Sequence, residues 1–334
     1  MTPVRLSVLL PCRDAEATLP AALGSVSRQT FGDFEVIAVD DGSADATLAI
    51  LRAWGERDPR VRVIAQPAQG LVAALNRAIA EAQAPLLARM DADDVAHPRR
   101  FERQVAFLDE HPDVGVAGCL VRCFPRTALK QGMLRYERWV NALITHQQIE
   151  RDLFVESPLP HPSVVMRADV VRAAGGYRDA GWPEDYDLWL RLFGQGVRFA
   201  KAPEVLHFWR DRPDRLSRTH AAYASTQFRR CKVHYLREMH LQGRDAVAIW
   251  GAGKEGKALA RHLKRAGLRL ARFIDVDPNK IGQTVLGAPV VSAEGLRRDE
   301  YLLVAVGAAG AREEIRAELA ARGFSEPRDY RTTA

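Results

Sequence analysis

Three aspartates within four positions are the clearest chemical feature of this chain. Asp91, Asp93 and Asp94 come just after the apolar run at residues 84–88, which predicts a buried strand with these carboxylates at its end. Clustered acids repel one another unless they share a cation. Oxygen ligands of this kind suit Mg²⁺ or Mn²⁺, with the phosphates of a bound nucleotide completing the coordination. The competing interpretation is a solvated acidic turn in which Asp94 caps the helix that begins near Pro98.

A glycine-rich turn further along the chain has the spacing of a dinucleotide site. Gly251, Gly253 and Gly256 follow an apolar strand at residues 246–250 and open a helix, and Asp275 ends the next predicted strand. In such sites backbone N–H groups hold a pyrophosphate and the acid binds ribose hydroxyls. Taken alone, this pattern predicts an NAD(P) site. However, the unit at residues 246–334 is small, and no separate domain for a hydride acceptor is predicted.

The elements around the aspartates alternate between strand and helix. The predicted strands are residues 4–10, 34–39, 61–65 and 86–90, and the helices between them are residues 15–29, 45–57 and 70–82. This pattern predicts an α/β fold, with a mostly parallel sheet covered by helices on both faces. Because ligands of such sheets bind at the carboxyl ends of the strands, the polar residues after each strand should converge on one edge.

The rest of the chain predicts a second, smaller Rossmann-like α/β domain. Residues 98–118 predict a helix and a strand at 114–117, and helices are expected at residues 135–152, 168–174, 185–193 and 221–241. The predicted division is therefore a first domain at residues 1–220, a helical linker at 221–245 and a second domain at 246–334.

The composition excludes several classes of protein. The 334 residues are 47% apolar and 27% charged, with a net charge of +6. Arginines are scattered and no RNA-recognition or zinc-finger signature is present, so no nucleic acid partner is expected. The four cysteines lack the spacing of a zinc site and should be free thiols. The longest apolar stretch is too short to span a bilayer and no signal-peptide pattern opens the chain, so a cytoplasmic location is expected.

Five blocks of sequence resemble glycosyltransferase family 2, a family of inverting enzymes with the GT-A fold. The resemblance extends from about Val4 to about Ser217. In order, the blocks are Ser7-Val8-Leu9-Leu10-Pro11, Val39-Asp40-Asp41-Gly42-Ser43, Gly70 with Asn76, Met90-Asp91-Ala92-Asp93-Asp94 with His97-Pro98, and Glu184-Asp185-Tyr186-Asp187-Leu188-Trp189-Leu190-Arg191. His161-Pro162-Ser163 and Gly176-Tyr177 also look like the family. A single block matches often by chance, but five in order are specific.

The resemblance implies a nucleoside-diphosphate sugar donor and a divalent metal, Mn²⁺ or Mg²⁺. It makes Asp93 the first metal ligand, with Asp91 at the metal and ribose site. The residues implied for the nucleotide are Pro11, Arg13, Glu16, Asp40 or Asp41, Arg89 and Asp91. An Asp carboxylate can accept the N–H of uracil, which favours UDP. Asp40 and Asp41 could instead form the turn before Gly42, and Arg89 could be a surface partner of the acidic cluster.

The resemblance also implies that Asp185 is the catalytic base, with Glu184 beside it. Inversion needs a carboxylate that removes the proton of the acceptor hydroxyl, and a like charge nearby raises the pKa of such a group. The alternative is that both acids only begin a helix, where they favour the helix dipole. Asp187 and Trp189 are expected to hold that helix, although Trp189 could also stack on a sugar ring.

Two positions depart from the family. Asn is frequent where Asp14 stands, and Tyr-Arg-x-His is frequent where residues 208–211 read Phe-Trp-Arg-Asp. His207 could replace the missing histidine or be a packed strand residue, and Arg210 and Arg215 could reach the diphosphate. These changes concern the loop that closes over the phosphates rather than the reaction class.

The second domain resembles, at residues 273–290, the small Rossmann-like domains that precede sugar-nucleotide acyltransferases. Those domains bind sugar nucleotides or serve structurally. Three interpretations therefore remain for Gly251, Gly253, Gly256 and Asp275: an NAD(P) site, a sugar-nucleotide site, or a nucleotide-free unit for packing or homo-oligomerisation.

The main hypothesis is an inverting glycosyltransferase that moves a sugar from a UDP-type donor to a saccharide or lipid-linked acceptor in polysaccharide or glycoconjugate biosynthesis. The alternatives are an NAD(P)-dependent oxidoreductase and a nucleotide-sugar binder without turnover. The basic helix at residues 221–241 is either a solvated linker or a peripheral contact with an anionic membrane.

Overall fold

The computed structural model describes residues 4–308 and 310–334, which form two compact units. The first unit comprises residues up to 149, residues 158–180 and residues 184–219. The second comprises residues 150–157, 181–183 and 220–334. Each unit has its own sheet and its own apolar core. The second unit thus includes two short stretches that lie, in sequence, inside the first.

Strands and helices alternate through the first 110 residues, as the hydrophobic pattern predicts. They are β1 (Leu6–Cys12), α1 (Leu19–Ser27), β2 (Phe34–Asp41), α2 (Thr47–Gly55), β3 (Val61–Gln66), α3 (Leu71–Glu81), β4 (Leu86–Arg89), β5 (Val95–Ala96) and α4 (Arg100–Glu110). The first three strands end one or two residues later than predicted. Polar residues extend them because they pair in register, with Cys12 opposite Asp40 and Asp41 opposite Gln66.

The chain up to residue 219 continues with further strands and helices. They are β6 (Val114–Phe124), α5 (Gln131–Ala142), α6 (His146–Asp152), β7 (Val165–Arg167), α7 (Ala168–Ala173), α8 (Glu184–Gly194), β8 (Arg198–Arg210) and α9 (Leu216–Thr219). The single helix predicted at residues 135–152 is wrong. Gln148 Oε1 accepts from the backbone N–H of Thr145 at 2.9 Å, and Thr145 Oγ1 accepts from the N–H of Gln148 at 3.3 Å. This capping box begins α6 as a helix separate from α5.

The sheet of the first unit has the strand order β3-β2-β1-β4-β7-β6-β8-β5. Strands β1 to β4 are parallel, so their carboxyl ends lie on one edge, whereas β7 and β5 run antiparallel to their neighbours. Every residue of β1 is buried, and Leu6, Val8 and Leu10 belong to the main core. A mostly parallel sheet with this degree of burial confirms the predicted α/β class.

The second unit has the Rossmann-like pattern of alternating strands and helices. Its elements are α10 (Ser225–Met239), β9 (Ala246–Trp250), α11 (Lys254–Arg265), β10 (Arg269–Ile274), β11 (Thr284–Val285), β12 (Ala288–Val291), β13 (Tyr301–Val304), α12 (Ala311–Ala321) and β14 (Tyr330–Thr332). The strand order is β11-β12-β10-β9-β13-β14, and all neighbours except β11 and β12 are parallel. Strand β9 therefore has β10 on one side and β13 on the other.

Among the described residues, the structure contains no helix with the length and apolar content needed to cross a bilayer.

Candidate active site

The three aspartates of the acidic cluster lie together but have different partners. Carboxylate oxygens of Asp91, Asp93 and Asp94 lie within 4.8 Å of one another after β4. Asp94 is buried and accepts hydrogen bonds from Nε2 of His207 at 2.8 Å and from the N–H of Arg210 at 2.7 Å. Both of its oxygens therefore tie β8 to this loop. Asp94 does not cap α4, which has no side-chain cap.

His207 is a packed residue of β8. It is fully buried, and its Nδ1 lies 3.0 Å from a guanidinium nitrogen of Arg100. Burial, and then the charge of Arg100, lower the pKa of His207 well below its usual value, so the imidazole is neutral. Nδ1 accepts from Arg100 and Nε2 donates to Asp94. With both nitrogens engaged, His207 does not replace the family's missing histidine.

Arg89 is the buried partner of Asp91. It is 1% exposed, and its Nη2 lies 2.7 Å from Oδ1 of Asp91. Burial raises the pKa of Asp91, but the charge and hydrogen bond of Arg89, together with electrostatic interactions with His161 and Arg215, outweigh burial and hold that pKa below its usual value. Nε and Nη1 of Arg89 have no hydrogen-bond partner among the described residues. Arg89 is thus not a surface residue, and it has N–H groups that a bound substrate could engage.

Asp93 is exposed to the negative charges of both other members of the cluster. Burial, and then the charges of Asp91 and Asp94, raise the pKa of Asp93 to about 7. Arg212 offsets this in part, since its Nε lies 3.3 Å from Oδ2 of Asp93. A divalent cation would relieve the same repulsion. Asp93 and Asp91 therefore fit a site for Mn²⁺ or Mg²⁺, whereas the oxygens of Asp94 are already used.

Asp40 and Asp41 lie at the carboxyl end of β2 and are both buried. The Asp41 carboxylate accepts three hydrogen bonds from the end of β3 and from the loop that follows it. The donors, each at 2.8 Å, are Gln66 Nε2 and the backbone N–H groups of Gln69 and Gly70. Asp40 Oδ1 has no hydrogen-bond partner among the described residues. Asp41 therefore stabilises its neighbouring loop, whereas Asp40 keeps one buried oxygen that these contacts do not use.

The loops after β1 and β2 are joined by reciprocal hydrogen bonds. Asp14 Oδ1 accepts from the N–H of Ala44 at 2.8 Å, and Glu16 Oε2 accepts from the N–H of Ala46 at 3.0 Å. Asp14 has a φ of 46°, a conformation that Asn and Asp tolerate best. Arg13 is exposed, with its Nη1 3.6 Å from Asp41. Glu16 thus stabilises the loop that follows β1, the strand that contains Pro11. Arg13, in the same loop, remains accessible to a ligand.

Asp185 lies in the first turn of α8, directly after the buried Glu184. Asp185 is half-buried, and its Oδ1 accepts from the N–H of Tyr186 at 2.7 Å. The same helix is held by Asp187, whose Oδ2 accepts from Nε of Arg191 at 2.8 Å.

Trp189 is fully buried in α8. Stacking on a sugar ring, the second role considered for this residue, is therefore wrong, because the ring does not reach a surface.

The hydroxyl of Tyr177 is acted on by charges from both the acidic cluster and the start of α8. The charges that act on its hydroxyl are those of Arg89, Glu184, Asp185 and Asp91. The structure thus brings the helix with the expected base and the strand with the acidic cluster to one place. Sequence reasoning noted the motif that contains Tyr177 but assigned it no role. It also missed Arg212, for which the run of arginines after β8 was the available signal.

The glycine-rich turn of the second unit is shaped by packing. A Cβ on Gly256 would lie 1.8 Å from the carbonyl oxygen of Gly251, and one on Gly251 would lie 2.7 Å from that of Ala305. A Cβ on Gly253 would meet nothing within 4 Å. Asp275 accepts from the N–H of Ala252 at 2.8 Å, and further bonds from Asp277 and Lys280 occupy the same carboxylate. The acid expected to bind ribose therefore stabilises its own loop.

Comparison with known proteins identifies the first unit. Residues 7–174, half of the chain, match the family described as glycosyl transferase family 2. The chain belongs to this family. The family 2 enzyme is 30% identical over 226 residues to the putative glycosyltransferase EpsE of Bacillus subtilis, covering 66% of this chain and 78% of EpsE. It is 33% identical over 203 residues to the amylovoran biosynthesis glycosyltransferase AmsE of Erwinia amylovora, covering 60% and 74%.

Solved structures show that this glycosyltransferase has the GT-A fold. It matches residues 1–349 of S. aureus TarS with a TM-score of 0.57 at 18% identity, over 78% of this chain and 71% of that one. The structure of the same TarS residues in complex with UDP-GlcNAc matches with a TM-score of 0.54. Residues 243–328 match a second family described as C2185-like, N-terminal, which does not identify the expected acyltransferase-type domain. The protein is a nucleotide-sugar glycosyltransferase.

Proposed function

We propose that this glycosyltransferase inverts the anomeric carbon of a UDP-activated sugar and extends a saccharide or lipid-linked acceptor in polysaccharide assembly. The observation that carries the choice of uracil as the nucleobase is Oδ1 of Asp40, which is buried and has no hydrogen-bond partner in the part of the chain that the structure describes. A carboxylate oxygen in that state suits an imide N–H such as that of uracil. The UDP complexes of TarS and the amylovoran pathway named for AmsE support the donor and the process.

In the proposed reaction, Asp185 takes the proton of the acceptor hydroxyl while that oxygen attacks the anomeric carbon of the donor. The bond from this carbon to the β-phosphate oxygen breaks on the opposite face, so the configuration inverts and UDP departs. The proton stays on Asp185 until the product leaves and then passes to water. Asp185 suits this role because it is half-buried and accompanied by a second acid, Glu184.

The leaving diphosphate is expected at the loop after β4. Asp93 and Asp91 would hold Mn²⁺ or Mg²⁺ there, and the bound ion would offset negative charge on the departing UDP. Arg89 and Arg212 form ion pairs with Asp91 and Asp93 and would donate charge-assisted hydrogen bonds to phosphate oxygens. Nucleotide binding should therefore depend on metal and be lost in Asp93→Ala.

The test measures UDP released from UDP-glucose, UDP-galactose and UDP-N-acetylglucosamine in the presence of Mn²⁺. We expect Asp185→Asn to reduce the best of these rates by about 100-fold or more, the usual contribution of a general base. Asp179→Asn, at an exposed acid of the same loop region, is the matched control and should retain the rate. Full activity in Asp185→Asn would remove the base assignment. Binding of GDP, CDP or dTDP in preference to UDP would remove the choice of donor.

The basic surface of α10 and α11 supports a contact with an anionic membrane. Residues 225–269 contain eleven Lys and Arg against three Asp and Glu. The exposed Arg230, Arg237, Lys254, Arg261 and Arg265 have no salt bridge to any acid that the structure describes. Each such residue near anionic lipid contributes about 1 kcal/mol of attraction. This surface would bring the enzyme to a lipid-linked acceptor.

Flotation with vesicles tests the membrane contact. The full chain should float with vesicles that contain phosphatidylglycerol and remain behind with phosphatidylcholine alone. A variant with Arg230, Arg261 and Arg265 changed to Glu should not float. If the unmodified protein fails to float with either composition, the surface is an ordinary solvated one.

We infer that the second unit does not bind NAD(P), because the carboxylate of Asp275 is engaged by Ala252, Asp277 and Lys280. A packing or oligomerising role is then favoured over a dinucleotide site. Addition of NAD or NADP should leave the melting temperature unchanged, whereas UDP with Mn²⁺ should raise it. A metal-independent shift with NAD would overturn this inference.

A further inference from the structure

Three buried polar side chains in contact with one another end at Glu184, the residue before the proposed base in sequence. Tyr177, His161 and Glu184 are 2%, 7% and 6% exposed. Nε2 of His161 lies 2.7 Å from the hydroxyl oxygen of Tyr177, and Nδ1 lies 3.5 Å from Oε1 of Glu184. Glu184 is followed at once by Asp185 in the first turn of α8. The chain therefore runs from Tyr177 through the imidazole to the acid beside the base.

The chemistry of these groups sets the direction of each hydrogen bond. A carboxylate only accepts, so Nδ1 of His161 carries the hydrogen that faces Glu184. Burial, and then the charge of Arg89, lower the pKa of His161, although Glu184 and Asp91 act in the opposite direction. The imidazole is thus neutral at pH 7, and Nε2 carries no hydrogen. Burial raises the pKa of Tyr177, so its hydroxyl stays protonated and donates to Nε2.

Hydrogen bonds from α3 and α8 hold the turn that contains Gly176 and Tyr177. Asn76 of α3 donates to the carbonyl of Tyr177 and accepts from its N–H, each at 2.9 Å. Arg191 of α8 donates to the carbonyl of Gly176 at 2.7 Å and pairs with Asp187. The tyrosine and the helix that carries the acids are therefore held in a defined relation to His161. A chain held in this way can orient a carboxylate and not merely fill space.

We propose that His161 is a positioning residue whose Nδ1–H holds Glu184 as an oriented carboxylate beside Asp185. This inference rests on the proposed function, since it takes Asp185 as the base. A like charge favours the protonated form of a neighbouring acid, so an ionised Glu184 makes Asp185 a stronger base. Loss of the Nδ1–H donor favours the protonated form of the buried Glu184 and weakens that effect, while the charge of Arg89 continues to act on Glu184.

Two amide substitutions separate the contacts of His161. The side-chain N–H of Asn can lie where Nδ1–H lies in histidine, and the amide oxygen of Gln can lie where Nε2 lies and accept from the Tyr177 hydroxyl. His161→Asn therefore keeps the donor to Glu184 and loses the contact with Tyr177, whereas His161→Gln does the reverse. In Mn²⁺-dependent UDP release, we expect kcat to fall at least about tenfold in His161→Gln with KM within about twofold, and His161→Asn to stay within about threefold of the unmodified enzyme.

The pH profile supplies a readout that a packing role would not move. In His161→Gln the acid limb of kcat/KM should shift to lower pH, because loss of the Glu184 charge lowers the pKa of Asp185. His161→Asn should keep the original limb. Tyr177→Phe preserves the ring but frees Nε2, so the hydrogen can move away from Nδ1. This variant should therefore behave like His161→Gln, and it replaces that variant if His161→Gln does not fold.

Two outcomes would contradict the inference. Equal losses in both amide variants with an unshifted acid limb would mean that His161 only packs. Wild-type kinetics in His161→Gln and Tyr177→Phe, with Asp185→Asn inactive, would also exclude the positioning role while leaving the base assignment intact. If Asp185→Asn is itself fully active, the proposed base is wrong, whatever the His161 variants show.

Discussion

The adjacent acids at the carboxyl end of β2, Asp40 and Asp41, differ in their hydrogen-bond partners. Side chains of successive strand residues point to opposite faces, so Asp40 and Asp41 meet different surroundings. Asp41 faces three N–H donors of the next loop, whereas Asp40 keeps a buried oxygen without a partner among the described residues. The sequence shows the pair but not the difference, because the donors come from a loop whose path no local pattern specifies.

The substitutions Asp40→Asn and Asp41→Asn should affect different properties of the protein. Asp40→Asn should weaken UDP binding by about 1–3 kcal/mol, because one acceptor in a buried site is lost, and should leave the melting temperature nearly unchanged. Asp41→Asn should instead destabilise the protein by a similar amount. Isothermal titration with UDP and Mn²⁺, together with thermal unfolding, measures both. If Asp41→Asn instead weakened UDP binding and Asp40→Asn lowered the stability, Asp41 would be the residue that binds uracil.

At the scale of elements, the turn between α7 and α8 shows how the fold constrains the site. Gly175 and Gly176 both have positive φ, at 78° and 68°. The two glycines differ in the room that a side chain would have. A Cβ on Gly176 would lie 2.6 Å from Oδ1 of Asn76, whereas a Cβ on Gly175 would meet nothing within 4 Å. Asn76 uses that oxygen to hold Tyr177.

The two glycines therefore form a matched pair. Gly175→Ala should cost about 1 kcal/mol from backbone strain alone. Gly176→Ala should cost more and also reduce kcat, because Asn76 must withdraw from Tyr177. In the Asn76→Ala background the difference between the two glycine substitutions should vanish. Urea unfolding of the double-mutant cycle measures this coupling. Equal costs in the unmodified background would show that the Asn76 contact is not tight.

Strand β8 carries a buried lysine that makes stability depend on pH. Lys201 is 1% exposed and donates to the carbonyl of Val140 in α5. Burial lowers its pKa to about 7 from the ordinary value of 10.5. Between these values the unfolded chain holds a proton that the folded chain lacks. Stability therefore rises with pH across this window, and the destabilisation is complete below about pH 7.

Lys201→Met should remove this dependence. Relative to the variant, the unmodified protein should gain about 1–3 kcal/mol of unfolding free energy between pH 7 and pH 9. Urea unfolding at both pH values checks the prediction, and parallel changes in the two proteins would contradict it.

Most elements of the first unit could be predicted because their apolar periods are regular. The failure at residues 135–152 has a local cause, since Thr145-His146-Gln147-Gln148 is a capping-box sequence that went unrecognised inside a helical pattern. Strand β8 was assigned no range, although His207 was considered as a strand residue. Its polar members pair with Asp94 and Arg100, which are distant in sequence, so their burial could not be anticipated.

At the scale of the whole molecule, the second unit depends on a short stretch from the middle of the chain. Asp152 is 2% exposed and lies 2.8 Å from Arg316 and 3.3 Å from Arg312. Removing the charge of this buried acid leaves Arg316 with Glu326 as its acidic partner and takes from Arg312 the acid that it contacts. This dependence was invisible in the sequence, where residue 152 falls within the predicted first domain.

Asp152→Asn should therefore destabilise the second unit by about 3 kcal/mol and leave the first unaffected. Calorimetry should show two transitions, because each unit has its own core. UDP with Mn²⁺ should raise only one of them, and Asp152→Asn should lower only the other. A single transition that responds to both would show that the units unfold together.

The interleaved sequence of the two units has an evolutionary consequence. A recombination event that replaced residues 220–334 with another module would cut the chain at one point, whereas the second unit draws on three stretches. The hybrid would inherit Asp152 without Arg312 and Arg316, and would keep the neighbouring Arg151, whose Nε lies 3.6 Å from Oδ1 of Asp152. We therefore expect selection to act on residue 152 in descendants that exchange or lose the C-terminal module, so that a trace of the fusion would lie at a single codon far from the junction.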